Sequence, residues 1–95
     1  MYNREYWKKF LEDYGSEFDD KSGKKPLIYF DGYEEDNIDP MDWLTLKVEL
    51  FEKSDHVRIT VTYHADDKTL IEREIMLNFE DIEEVQTIKV LSVNE

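Results

Sequence analysis

Residues 43–63, WLTLKVELFEKSDHVRITVTY, decide the fold because their apolar side chains recur at every second position in two runs. Alternation of this kind is typical of strands that bury one face. The inward residues are Leu44, Leu46, Val48 and Leu50 in the first run, and Val57, Ile59, Val61 and Tyr63 in the second. The polar residues 52–55 separate the runs, so the segment is predicted to be a β-hairpin.

The chain after the hairpin is predicted to continue the same sheet. Residues 65–68 can form a second turn, and residues 69–77 (TLIEREIML) are strand-like, with apolar side chains on both parities. The register of that third strand is therefore left open. Asn78 can cap a short helical turn, and β character returns at residues 86–93.

The chain before the hairpin begins with a predicted helix over residues 3–14. Asn3 is a suitable N-cap, and Gly15 is a suitable stop. A polar connector follows, then a short apolar strand at residues 27–30. The helix carries an apolar stripe expected to pack on the sheet, formed by Tyr6, Trp7, Phe10, Leu11 and Tyr14.

Segregation of the helix from the strands predicts an α+β fold. We expect a single domain, residues 1–95, in which the N-terminal helix packs on a mainly antiparallel sheet of four to five strands, a β-meander. A short helical turn should precede the last strand. The chain has no cysteine and no apolar run long enough to span a membrane, and its first residues lack the apolar core of a signal peptide. We therefore expect a cytoplasmic protein.

Net charge is the most unusual property of the composition. Twelve basic and 24 acidic residues give a formal charge of −12, whereas a small domain usually carries a charge of magnitude about 2–8. Residues 1–26 hold six acids and six bases, and residues 27–46 hold six acids and no base. Such a surface repels phosphates, so direct binding to nucleic acid or to an anionic membrane is disfavoured.

No motif for catalysis or metal binding occurs in the sequence. It has no glycine-rich phosphate loop, nucleophile elbow or metalloprotease signature. His56 and His64 lie eight residues apart on one predicted strand, roughly 26 Å, too far to share a metal. EF-hand frames beginning at Leu27 or Asp31 both fail, since the required ligand or glycine is missing. We expect no enzyme activity, no cofactor and no bound metal.

Two acidic segments are therefore predicted to bind a basic protein surface. The first is YFDGYEEDNIDPMDW, residues 29–43, where aromatic side chains are interspersed among the carboxylates. The second comprises Glu74, Glu80, Asp81, Glu83 and Glu84. Aromatic residues commonly form interface hot spots, and charge steers association. The predicted partner-binding residues are Asp31, Tyr33, Glu34, Glu35, Asp36, Asp39, Asp42, Trp43, Glu80, Asp81, Glu83 and Glu84. Two separate acidic patches can imitate two phosphate tracks; the alternative is a surface that serves only solubility.

In size, acidity, absence of cysteine and lack of motifs, the whole chain resembles small phage-encoded anti-restriction and anti-CRISPR proteins that act as DNA mimics. The resemblance is one of composition and carries no residue assignments. It implies an inhibitor that binds a bacterial nuclease or its guide-RNA complex. An immunity protein or antitoxin against a basic nuclease, and a phage structural or assembly subunit, are the alternatives. The sequence leaves open whether the chain is a monomer or a homodimer.

Overall fold

The computed structural model describes residues 2–31 and 37–89. Its helix α1 spans Arg4–Tyr14, and the strands are β1 (Glu17–Phe18), β2 (Lys24–Phe30), β3 (Asn37–Ile38), β4 (Thr45–Leu50), β5 (His56–Asp66), β6 (Thr69–Asn78) and β7 (Ile82–Lys89). Short 3-10 turns at Pro40–Asp42 and Phe79–Asp81 precede β4 and β7. The predicted α+β class is confirmed.

Helix α1 begins and ends where its capping residues predict. The Asn3 side chain accepts a hydrogen bond from the backbone N–H of Tyr6 at 3.0 Å. Gly15 has a φ of 86° and its N–H donates to the carbonyl of Leu11 at 2.9 Å, a backbone conformation that favours glycine. Trp7 is fully buried and Phe10 nearly so. The predicted apolar stripe is confirmed as a core face at these two positions.

The strands form two sheets rather than the single sheet expected. One is four-stranded, in the order β1-β4-β5-β6, and contains the predicted meander; the other is three-stranded, in the order β3-β2-β7. The pairs formed by the described strands are all antiparallel. The core contains residues of the helix and of both sheets: Trp7, Phe10, Phe18, Ile28, Phe30, Ile38, Trp43, Leu46, Val48, Val57, Ile59, Val61, Leu77 and Ile82.

Several element boundaries differ from the predicted ones. The supposed polar connector contains β1, whose Phe18 is buried, and β2 begins at Lys24 rather than Leu27. Part of the supposed acidic loop is structured, as β3 and a 3-10 turn. The helical turn after Asn78 is only three residues long. The short strands β1 and β3 are stabilised by pairing with β4 and β2 respectively, which local propensity does not report.

The register of β6 is set by its pairing with β5. Leu77 lies opposite Val57 and Ile75 opposite Ile59, on the face that covers the core. The opposite face carries Glu72 and Glu74. The odd-numbered residues of β6 therefore face the core. The sequence alone did not show whether the odd-numbered or the even-numbered residues would do so.

Candidate functional site

Pairing of β2 with β7 brings the two predicted acidic segments together. Phe30 lies opposite Ile82, and the backbone N–H of Asp31 donates to the carbonyl of Asp81 at 2.9 Å. The two segments were expected to form separate patches, and this is wrong for Asp31, which lies beside Asp81 of the second segment. We call the surface formed by five of these carboxylates the acidic edge; its residues are Asp31, Glu80, Asp81, Glu83 and Glu84.

A bulge in the β2–β7 ladder places consecutive acids of the acidic edge in solvent. Tyr29 lies opposite Glu84 and Phe30 opposite Ile82, so Glu83 is the extra residue on β7. A regular strand would direct Glu83 and Glu84 to opposite faces. The bulge breaks that alternation, and both side chains are exposed.

The side chains of the acidic edge are mostly exposed, and their described hydrogen bonds come from neutral donors. Asp31, Glu80, Glu83 and Glu84 are exposed, and Asp81 is partly buried. The Gln86 amide donates to Glu84 at 2.6 Å, and the Asn78 amide donates to Asp81 at 3.3 Å. A neutral donor orients a carboxylate without cancelling its charge, so these contacts leave the edge negative.

A cleft of about 640 Å³ lies beside the acidic edge and adds one carboxylate that the sequence did not indicate. Its lining includes Glu80, Glu83 and Asp55, together with Tyr2 and Phe79. The carbonyl of Asp55 accepts a hydrogen bond from the N–H of Phe79 at 2.8 Å. Asp55 belongs to the turn between β4 and β5 and is distant in sequence from Glu80 and Glu83. Only the tertiary fold brings it to the cleft.

Asp39 and Asp42 lie apart from the acidic edge. Asp39 follows Ile38, which pairs with Ile28, three residues before Asp31; that is a separation of roughly 10 Å along the strand. The Asp39 carboxylate accepts a hydrogen bond from the N–H of Met41 at 2.9 Å and caps the 3-10 turn. Asp39 therefore has a structural role, whereas Asp42 is exposed.

Trp43 is buried, and this corrects its prediction as a partner-binding residue. Its side chain is 5% exposed and belongs to the core. The ammonium of Lys25 lies 4.4 Å from the Trp43 ring centroid, 3.5 Å from the Trp43 carbonyl oxygen and 2.6 Å from the Asp20 carboxylate. A side chain packed in this way is not available to a partner without unfolding, so Trp43 acts in stability.

Four of the predicted partner-binding residues lie outside the described residues: Tyr33, Glu34, Glu35 and Asp36. Their role in binding stays a prediction. Among the other apolar residues of the acidic stretch, Tyr29 is partly buried and Met41 is 88% exposed.

The outer face of the four-stranded sheet carries further charges, and some of these are paired through Arg58. The guanidinium of Arg58 lies 2.8 Å from Glu49 and 4.0 Å from Glu74. The hydrogen bond from Arg58 holds the pKa of Glu49 below its usual value, and the same bond raises the pKa of Arg58. Internal pairing of this kind makes the surroundings of Arg58 and Glu49 a weaker candidate for a cationic partner than the acidic edge.

The expectations of no metal and no catalytic site stay predictions. Within residues 2–31 and 37–89, no group of three or more His, Asp or Glu side chains is arranged to hold a metal ion. In the same part of the chain, no helix is long and apolar enough to cross a membrane.

No protein-family model, curated protein or solved structure matches this chain.

Proposed function

We propose that this protein is a non-catalytic inhibitor that binds the basic, nucleic-acid-binding surface of a bacterial nuclease or CRISPR effector and acts there as a DNA mimic. It would act in the cytoplasm of the bacterial host. The observation that carries the proposal is the acidic edge, where Asp31 and the acids of residues 80–84 lie together and mostly exposed.

The spacing within the acidic edge supports the mimicry of phosphates. The bulge places Glu83 and Glu84 at neighbouring positions of β7, and Asp31 lies beside Asp81 on the adjacent segment. Consecutive residues of a strand lie about 3.3 Å apart and neighbouring strands about 4.8 Å apart, so the backbone positions that carry these carboxylates approach the density of a nucleic-acid strand, which carries one phosphate per about 3.4 Å of helix axis. A cleft lined with Lys and Arg would bind this edge and release the same kind of counterions that it releases on binding DNA.

The net charge of −12 supports the same function through association kinetics. A strongly negative protein is steered toward a positive cleft over distances near the Debye length, about 8 Å at physiological salt. The cost is self-repulsion in the free protein, which a function based on charge would explain. Exposure of the carboxylates in the free state means that little rearrangement is needed on binding.

A pull-down from a bacterial lysate, followed by mass spectrometry, tests the identity of the partner. Capture of a nuclease or guide-RNA complex supports the proposal. Capture of a toxin encoded beside this protein's gene would favour an immunity protein or antitoxin, and self-association alone would favour a structural or assembly subunit. Either of the last two outcomes overturns the DNA-mimic proposal.

Neutralising the acidic edge tests the mechanism with the captured partner. The triple variant Glu80→Gln, Glu83→Gln and Glu84→Gln should fold normally and associate at least tenfold more slowly, with a loss that shrinks as salt rises. A control with the same charge change elsewhere is Glu12→Gln, Glu17→Gln and Asp67→Asn, and it should retain most of the association rate. Equal rates for the two triple variants would show that only total charge matters.

A second set of substitutions tests whether residues 34–36 form part of the binding surface together with the acidic edge. Glu34→Gln, Glu35→Gln and Asp36→Asn should slow association in the same salt-dependent way if these residues join the acidic edge in the complex. Unchanged binding by this variant would restrict the interface to the described acids.

A further inference from the structure

Strand β6 is a long strand at the edge of the four-stranded sheet. It pairs with β5 along Thr69–Asn78, and among the described strands none pairs with its other edge. The other end of this sheet is β1, which has only two residues. Proteins usually keep exposed edge strands short or cover them, because unpaired N–H and C=O groups recruit another strand.

The side chains of β6 add an apolar component to this open edge. Leu70 is 59% exposed and Met76 is 53% exposed, although both are large apolar residues. They share the outer face with Glu72 and Glu74, because these even-numbered residues all lie opposite the outward residues of β5. Along the outer face of β6, the two apolar residues Leu70 and Met76 therefore flank the two acids Glu72 and Glu74.

This pattern disfavours a second copy of the chain as the partner strand. Antiparallel self-pairing that matches Leu70 with Met76 has its centre at Arg73. In that register Glu72 lies opposite Glu74 twice, and the two Arg73 residues lie opposite each other. Like charges directly opposite across a strand pair are destabilising, and the net charge of −12 adds further repulsion.

We propose that the β6 edge binds an extended segment of a basic partner protein by strand addition. The segment would place Lys or Arg opposite Glu72 and Glu74, and apolar residues opposite Leu70 and Met76. Backbone hydrogen bonds to the free edge supply affinity, and the alternate side chains supply specificity. This binding surface uses no residue of the acidic edge, so each proposal can fail without the other.

A synthetic peptide tests the proposed strand addition on the full chain. The probe is the blocked heptapeptide Val-Thr-Lys-Asp-Lys-Thr-Val, whose symmetric pattern offers two lysines to the glutamates in either strand direction. Its control is Val-Thr-Glu-Arg-Glu-Thr-Val. With ¹⁵N-labelled protein, we expect millimolar basic peptide to shift the amide signals of residues 70–76 and to slow their hydrogen exchange.

Paired variants test which side chains recognise the peptide. Glu72→Gln with Glu74→Gln should weaken its binding about fivefold, since opposite-charge pairs across strands are individually modest. Leu70→Ser with Met76→Ser should weaken it as well, and both pairs should leave folding intact because the four side chains are exposed. The matched control, Glu83→Gln with Glu84→Gln, should bind the peptide like the wild type.

Three results would overturn the proposal. The first is no response at residues 70–76, or an equal response to the acidic control peptide. The second is a response centred on residues 80–84, which would mean that the peptide recognises only the acidic edge. The third is a dimer in analytical ultracentrifugation whose β6 amides are protected without peptide, which would make a second copy the occupant.

Discussion

Lys25 lies buried beside the acidic stretch, and its ion pair with Asp20 gives a sharp prediction about stability. The residue is 4% exposed, and its ammonium lies 2.6 Å from the Asp20 carboxylate and 4.4 Å from the centroid of the Trp43 ring. The two partners differ in environment, because the Asp20 side chain is 69% exposed. Removing Asp20 and removing Lys25 should therefore change the stability of the protein by very different amounts.

Replacing Asp20 with alanine leaves a buried ammonium without its counter-charge. Removal of one partner from a fully buried pair costs about 3–5 kcal/mol. Asp20 is largely hydrated, so water already screens part of the interaction, and we expect Asp20→Ala to cost about 2 kcal/mol.

Replacing Lys25 with methionine leaves only a carboxylate that water already solvates. The variant loses the hydrogen bond to the Trp43 carbonyl and the cation–π contact, each worth about 1 kcal/mol. It also removes the cost of burying an ammonium and fills the same space with an apolar chain. The net change for Lys25→Met should stay within about 1 kcal/mol of zero.

Urea unfolding followed by tryptophan fluorescence measures these differences. With a slope of roughly 2 kcal/mol per M, Asp20→Ala should lower the midpoint by about 1 M, and Lys25→Met should shift it by no more than about half of that in either direction. The double variant should match Lys25→Met alone, since the buried charge is then gone. Glu12→Ala controls for the change in net charge. An Asp20→Ala variant as stable as the wild type, or less affected than Lys25→Met, would refute the reasoning.

Three further predictions concern the stability of the fold. Phe10→Ala should lower the free energy of unfolding by roughly 3–5 kcal/mol, because the ring is 3% exposed and packs among other aromatics; calorimetry checks this, and wild-type stability would contradict it. Asn3→Ala removes the N-cap of α1 and should cost about 1 kcal/mol in urea titrations. The pKa values of Glu49 and Asp66 are lowered in the fold, by the hydrogen bond from Arg58 and by backbone N–H groups respectively. Their contribution is therefore complete above the unfolded values near pH 4–4.5 and is lost as the pH falls through the folded ones. The loss of melting temperature in Glu49→Gln relative to the wild type should consequently shrink on acidification; a loss that grows as the pH falls would contradict this.

Local sequence patterns predicted the elements whose stabilising contacts lie close along the chain. Helix α1 carries its own cap, stop and apolar stripe. The β4–β5 hairpin buries Leu46 and Val48 on one strand against Val57 and Ile59 on the other. Periodicity reports such elements well, because each strand or helix contains the information on which of its faces is buried.

The second sheet and the joining of the acidic segments depend on contacts between distant parts of the chain. Strand β2 pairs with β7 across more than fifty residues, from Phe30 opposite Ile82 to Lys24 opposite Lys89. Neither strand has a clean alternation, since Lys25 and Pro26 of β2 are both buried and Glu83 and Glu84 of β7 are both exposed. A single sequence gives the type of each segment but not which strand lies beside it, so the acidic edge could not be predicted from spacing.

The positions of the acids are set by the core rather than by their charges, and this makes the proposed interface testable without unfolding the protein. Ile28 is fully buried and Ile82 is 7% exposed, so apolar packing holds β2 against β7. The backbone of Asp31, Glu83 and Glu84 is therefore fixed in the free protein, and only side-chain rotamers have to be ordered on binding. Neutral substitutions at Glu83 and Glu84 should consequently change the rate of association with a basic partner while the core, and the backbone that it holds, stay as they are.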